Sequence, residues 1–387
     1  SREAIQDSPL YLPALLLVLL GAMTKSAQFP FHFWLPRAMA APTPVSAYLH
    51  SATMVKAGVF LLIRFWPVLA GTEEWRLLVG TAGLATLLIG AWCAIFQHDL
   101  KGLLAYSTIS HLGLITLLLG LNRDLAAVAA VFHIMNHATF KASLFMAAGI
   151  IDHETGSRDI RRLSGLFKAM PITGTLALVA SAAMAGVPLM NGFLSKEMFF
   201  AETIDLSAMP WLDVGLPIAA TVAGIFAVVY SLRFSVDVFF GPPAKDLPLE
   251  PHEPVRWMKI PVEILVVACL LVGMAPAWTI APVLDAGVRG TLGTAAPDYS
   301  LALWHGINAP LLMSIAGMLG GIALYFGLRR LLDIHVVIAD ASPVRNLDVC
   351  VRSAHLETKM IIASPVAAGL ALSPYRRDPA YAASEER

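Results

Sequence analysis

The chain has 387 residues, 57% of them hydrophobic and 14% charged, with 27 basic and 27 acidic side chains that cancel at neutral pH. An average soluble domain carries about 25% charged residues, so this composition, with a mean hydropathy of +0.69, asks for a lipid surrounding. Balanced charge gives no basic footprint for nucleic acid, and nucleic-acid binding is excluded.

Apolar stretches long enough to cross a bilayer as helices recur along the whole chain, at about 9–29, 44–68, 77–97, 101–120, 125–151, 170–205, 213–240, 260–284 and 308–331. Barrel strands would alternate apolar and polar residues, so these continuous runs choose helices. The expected fold class is all-α, a polytopic transmembrane helix bundle. Ser1 is not an initiating methionine and the first segment lacks a signal peptide's basic start and cleavage site, so the chain is expected to be a piece of a longer one.

The first segment ends in GAMTKSAQFPFHFWLPRAMAAPTPVS, where Lys25 is followed by Pro30, Pro36, Pro42 and Pro44. These prolines prevent simple continuation, and a broken helix is predicted. The second segment carries His50 in SAYLHSATMVKAG, with Lys56 six residues on and therefore on another face. His50 reads equally as a link in an ion path and as a hydrogen-bonded core residue. The fourth segment holds a polar patch, Tyr106, Ser107, Thr108, Ser110 and His111, which fits water lining as well as helix–helix hydrogen bonding. Just before it, His98, Asp99 and Lys101 read as a short solvated loop.

The fifth segment, AAVFHIMNHATFKASLFMAAG, places His133, His137 and Lys141 at i, i+4 and i+8 on one helical face, with Asn136 and Ser143 nearby. Imidazoles titrate near neutrality and can hand a proton along hydrogen bonds. Packing histidines and a metal site are the other readings, although no Glu sits between the histidines as in HExxH and no third ligand is evident. The following loop, DHETGSRDIRRLSGLFK, is rich in arginine and reads as a cytoplasmic loop under the positive-inside rule.

The sixth segment, MPITGTLALVASAAMAGVPLMNGFLSKEMFFAET, is too long for one span and is interrupted by Gly186, Pro188 and Gly192 before Lys196. It is the second predicted broken helix. As the first and sixth spans, the Lys25 and Lys196 segments cross in opposite directions, as in an inverted five-helix repeat with a site near the bilayer midplane. An ammonium at such a break has loose backbone groups to solvate it and can change its protonation state as a charge approaches. The competing reading has each lysine reaching the headgroups.

Four parts are expected: 1–75, the end of a first repeat; 76–240, a complete second repeat; 241–334, two further spans; and 335–387, a poorly ordered cytoplasmic tail. Arg37, Lys101, Arg158, Arg161, Arg162, Lys168, Lys245, Arg256, Lys259, Arg329 and Arg330 fall on one side and only Arg2, Arg76, Arg123 and Arg289 on the other, which puts the first side in the cytoplasm. Trp34, Trp66, Trp75, Trp211, Trp257 and Trp304 lie near span ends, where an aromatic belt would place them. Cys93, Cys269 and Cys350 are isolated and read as small hydrophobes.

Three runs, TKSAQFPFHFWLPRAMAAPTPVSAYLHSATMVKAG, FHIMNHATFKASLFMAAGIIDHETGSRDIRRLSGL and PLMNGFLSKEMFFAE, resemble the A subunit of Mrp-type Na⁺/H⁺ antiporters over roughly residues 9–330. The resemblance extends more distantly to the antiporter-like proton-pumping subunits of respiratory complex I. It implies a proton path through Lys25, His50, His133, His137, Lys141 and Lys196, with Lys56, Ser107, Thr108, His111 and Asn136 as secondary candidates. It also implies an upstream helix bearing a glutamate, outside this sequence, and Arg37 stands where the family usually shows aspartate. The implied activity is that of a secondary active transporter subunit, not an enzyme, exchanging cytoplasmic Na⁺ for external H⁺ without a cofactor. Its expected partners are the other subunits of a hetero-oligomeric complex in a bacterial plasma membrane. A complex I-type or hydrogenase proton-pumping subunit is the rival within the same fold. An intramembrane metalloenzyme built on His133 and His137 is the rival of another class.

Overall fold

The computed structural model describes residues 2–204, 210–244, 247–293, 296–302, 304 and 306–338. Two compact units divide the chain, residues 1–325 and 326–387. In the second, residues 326–338 are described and are helical. In chain order the helices are α1 (Arg2–Gln6), α2 (Tyr11–Lys25), α3 (Trp34–Arg37), α4 (Thr43–Ser51), α5 (Ala57–Leu69), α6 (Glu73–Ile95), α7 (Leu100–Gly120), α8 (Asp124–Thr155), α9 (Pro171–Ala185), α10 (Asn191–Glu202), α11 (Pro210–Leu232), α12 (Arg256–Met274), α13 (Pro276–Thr279), α14 (Ala281–Leu292) and α15 (Ala309–Ile338). No strand occurs among the described residues.

Among the described residues, six stretches are long and apolar enough to span a membrane: Thr43–Leu69, Glu73–Ile95, Leu100–Gly120, Asp213–Asp237, Arg256–Met274 and Ala309–Arg329. α2 and α9 are shorter apolar helices. α8, 32 residues and so about 48 Å long, falls outside this group because His133, Asn136, His137 and Lys141 dilute its apolar run. Leucines 12, 16, 17 and 20 of α2, Ile264, Val267 and Leu271 of α12, and Leu312, Ile315 and Leu319 of α15 are exposed, while the intramembrane histidines are buried. Apolar side chains outside and ionisable ones inside is the arrangement a bilayer requires.

α7 is buried along its whole length, paired with α6 on one side and α8 on the other. The α6–α7 seam is closed by Gly83, Gly90, Gly113 and Gly120, at each of which a Cβ would stand within 2.5 Å of the opposite backbone. Small residues of this kind let membrane helices approach closely without a hydrophobic driving force. α4, α9, α10 and α12 pack around α8, and α11 closes the bundle against α6 and α9.

The helix starts follow from local chemistry. Thr72 accepts from the Trp75 amide at 3.1 Å to cap α6, and Asp99 accepts from the Gly102 amide at 2.9 Å to cap α7. Glu253, from the segment before α12, accepts from the Ile172 and Thr173 amides at 2.6 and 2.9 Å and so caps α9 from a distance.

Several expectations need correction. The stretch 44–68 is not one helix but α4 and α5 with a distorted turn at Ala52–Lys56 between them. Neither Gly nor Pro occupies that turn. Ser51 Oγ donates to the Ala47 carbonyl and Thr53 Oγ1 to the Tyr48 carbonyl, so side chains take acceptors that helical amides would otherwise use. The stretch 260–284 is likewise divided, because Ala275 precedes Pro276 in a non-helical conformation and α12 ends at Met274. Helix α15 runs on through 335–338, which the expected tail included; residues 339–387, with Cys350, lie outside the described residues. Trp66 and Trp75 do not belong to a belt: both are buried, and both indoles donate to the Leu119 carbonyl, at 3.2 and 2.8 Å. Lys101 is not a solvated loop residue; it is buried at the start of α7 and donates to the Ala41 carbonyl at 3.0 Å.

Candidate proton path at the centre of the bundle

The middle of α8 brings His133, Asn136, His137 and Lys141 into the core, each at most 1% exposed. The hydrogen bonding does not run straight down this face. His133 Nε2 meets His111 Nδ1 of α7 at 2.9 Å, with the rings stacked at a centroid distance of 5.1 Å. On its far side His111 Nε2 meets the Tyr230 hydroxyl of α11 at 3.3 Å. His133 Nδ1 meets Ser195 Oγ of α10 at 3.0 Å, and Ser195 Oγ donates to the Gly192 carbonyl at 3.3 Å. Four helices therefore contribute to one buried chain. His137 flanks it, its ring 5.1 Å from His111 and 6.3 Å from His133, and neither of its ring nitrogens has a hydrogen-bond partner among the described residues.

The lysines surround this chain. Lys141 donates to Ser107 Oγ of α7 and to Met184 Sδ of α9, the latter at 3.3 Å. Lys196 lies not at the helix break itself but more than a turn into α10, and its Nζ reaches back to the Ala185 carbonyl at 2.8 Å. That carbonyl closes α9, whose last turn is the negative end of its dipole and a natural place for a cation. Gly186, with φ +83°, makes the turn; a Cβ there would stand 2.7 Å from the Lys196 side chain. Lys196 and Phe200 both line two narrow cavities, one reaching Ser110, His111 and Tyr230, the other Gly186, Ser314 and Gly317.

On the α4–α5 side, Lys56 is buried in the distorted turn and donates to the Ile134 carbonyl of α8 at 3.0 Å. His50 packs its ring 6.1 Å from Phe145 of α8, 2% exposed, with Nδ1 unpartnered among the described residues. Lys25, the last residue of α2, is exposed, and no ion pair to it occurs among the described residues. Arg37 is exposed on α3.

The structure thus brings together His111, His133, His137, Lys141 and Lys196, sets Lys56 and His50 against the other flank of α8, and leaves Lys25 apart. Ser107 joins through Lys141. Thr108 donates to its own helix at Leu104, 2.7 Å away, and the backbone carbonyl of Asn136 accepts from Thr139 Oγ1 at 2.8 Å and Asn191 Nδ2 at 3.4 Å, while Asn136 Nδ2 has no partner among the described residues. Tyr230, Ser195 and Met184 were not read from the sequence. Tyr230 offered one signal, a lone phenol in the apolar run of α11; Ser195 lay beside a lysine that drew the attention.

At one end of α8 the loop charges are paired. Arg158 lies 3.2 Å from Asp99 and 3.9 Å from Asp152 and donates to the Met39 carbonyl, while Glu154 is held between His153 and His252 at 2.9 and 2.8 Å. No group of three or more His, Cys, Asp or Glu residues arranged to hold a metal occurs among the described residues. His133 has both nitrogens engaged already.

The fold is that of a polytopic helical membrane protein that keeps lysines and histidines hydrogen-bonded in its interior. The chain belongs to the NADH:quinone oxidoreductase/Mrp antiporter transmembrane family, whose model matches residues 2–221. It is 70% identical over 332 residues to the A/B subunit of a probable K⁺/H⁺ antiporter of Rhizobium meliloti, covering 86% of this chain and 33% of that protein. It is 45% identical over 353 residues to the A subunit of the Na⁺/H⁺ antiporter of Alkalihalophilus pseudofirmus, covering 85% of this chain and 44% of that one. Among solved structures, the Mrp complex from Dietzia sp. matches with a TM-score of 0.75 and 35% identity, over 96% of this chain and 44% of that one. The chain spans a third to less than half the length of these relatives.

Proposed function

We propose that this chain is the proton-conducting membrane core of the A subunit in a multi-subunit monovalent cation/proton antiporter, a secondary active transporter. The observation that carries the proposal is the buried chain Tyr230–His111–His133–Ser195, flanked by His137, Lys141 and Lys196. Ionisable groups are costly in a bilayer, by about 2.5–3.5 kcal/mol each on insertion scales, and are kept where protons or ions pass. Lysine and histidine can each hold and release a proton, whereas no redox group is needed for exchange driven by an ion gradient.

The inverted-repeat reading pairs α2–α3 with α9–α10, each an apolar helix ending in a break. Na⁺ is the cation named for relatives at 40–45% identity, and K⁺ for the one at 70%. We take the cytoplasmic face to be that of the Arg158 loop, and the partners to be the other subunits of the complex. The relatives bear antiporter names, which favours exchange over a complex I-type pump. The test is proton movement in vesicles containing the whole complex, with K⁺ or Na⁺ as the only varied cation. Cation-dependent exchange is expected, and proton movement indifferent to both cations would remove the proposal.

A further inference from the structure

The hydrogen bonds around the two central histidines can run in either direction, and the place of the Ser195 proton selects between them. Ser195 Oγ donates to the Gly192 carbonyl, an atom that can only accept. With its proton on that carbonyl, Ser195 presents a lone pair to His133, whose Nδ1 then carries the hydrogen across the 3.0 Å contact. A neutral imidazole protonated at Nδ1 accepts at Nε2, so the 2.9 Å bond is donated by His111 Nδ1. His111 Nε2 is then an acceptor in turn, filled by the Tyr230 hydroxyl at 3.3 Å. In this direction the Gly192 carbonyl, at the start of α10, selects the tautomer of both rings.

We propose that Ser195 is a positioning residue that makes His133 the resting place of the transported proton, with Tyr230 holding the loading nitrogen of His111. The inference rests on the antiport reading above. An incoming proton bonds to His111 Nε2 in place of the Tyr230 hydroxyl, and His111 passes its Nδ1 proton to His133 Nε2. The hydrogen atoms balance: His111 is neutral again, protonated at Nε2, and His133 is an imidazolium with both nitrogens protonated. Throughout the transfer His133 Nδ1–H keeps its acceptor in Ser195. The hydroxyl also borders Lys196 in sequence, so movement of α10's first turns would disturb both groups together. Ser195 and Tyr230 are 0% and 1% exposed, which keeps water from substituting freely for either.

The test uses the assembled complex in vesicles, comparing wild type, Ser195→Ala, Ser195→Thr, Tyr230→Phe and Lys196→Ala. Ser195→Ala should lower the exchange rate by about tenfold or more, leave the half-saturating cation concentration unchanged, and raise the ratio of rates in H₂O and D₂O. Ser195→Thr restores a hydroxyl at the same place and should restore both rate and isotope ratio. Tyr230→Phe keeps the ring and should change the isotope ratio in the same direction as Ser195→Ala. Wild-type rate and isotope ratio in Ser195→Ala, or a threonine variant as impaired as alanine, would overturn the proposal. Lys196→Ala is the variant that should not exchange at all; if wild-type vesicles move protons indifferently to K⁺ and Na⁺, the antiport reading fails and this one with it.

Discussion

A buried imidazole with no partner for either nitrogen is costly, about 1–3 kcal/mol for each unmet group, and among the described residues both nitrogens of His137 lack one. Such a ring is kept for what it binds intermittently. Replacing His137 with Ala should therefore leave the complex assembled and interrupt cation-dependent proton uptake, measured with a pH-sensitive dye in vesicles; uptake near the wild-type rate would show the ring to be packing. Lys196 makes a sharper case. Its ammonium sits on the carbonyl end of α9, and arginine would hold that place while never releasing a proton at accessible pH. Lys196→Arg and Lys196→Ala should both abolish coupled exchange. Exchange retained by the arginine variant alone would make the position a fixed charge.

The break between α9 and α10 sets where these residues stand. Gly192 lies so close to α9 that a Cβ would come within 1.8 Å of the Ala183 carbonyl oxygen. Gly192→Ala should lower the thermal midpoint of the complex, with a cost of about 1–3 kcal/mol as expected for forced packing. Gly215→Ala in α11, where an added Cβ would meet nothing within 4 Å outside its own helix among the described residues, should be neutral or slightly stabilising. Equal loss at both positions would mean that the close approach is not what matters. The α9–α10 break was legible in the sequence because Gly186, Pro188 and Gly192 announce it. The α4–α5 break was not, because the residues that make it, Ser51 and Thr53, act through side-chain bonds to the backbone and are common within ordinary helices. The spacing of His133, His137 and Lys141 pointed to a ladder along α8. The structure turns the hydrogen bonds sideways instead, to His111, and no single-helix periodicity reports a pairing between residues 22 positions apart on two helices.

For the whole molecule, the apolar runs were legible because lipid leaves the chain few choices, whereas the inner partners depend on how helices are rotated against one another. The cation belongs to this scale too. With one relative named for K⁺ at 70% identity and others for Na⁺ at 40–45%, exchange in whole-complex vesicles should respond to K⁺ at least as strongly as to Na⁺. A response to Na⁺ alone would tie the chain to the second group. The carbonyl of Leu119 that two indoles share has an optical consequence. Trp66 and Trp75 join α5, α6 and α7 in a dry niche, whereas Trp257, Trp278 and Trp304 are 82%, 89% and 66% exposed. In variants of the complex keeping a single tryptophan of this chain, with those of its partners replaced, the first two should emit in the blue and resist both acrylamide and brominated lipid. Their emission would then report, without an added label, when the end of the bundle remote from the paired arginines comes apart.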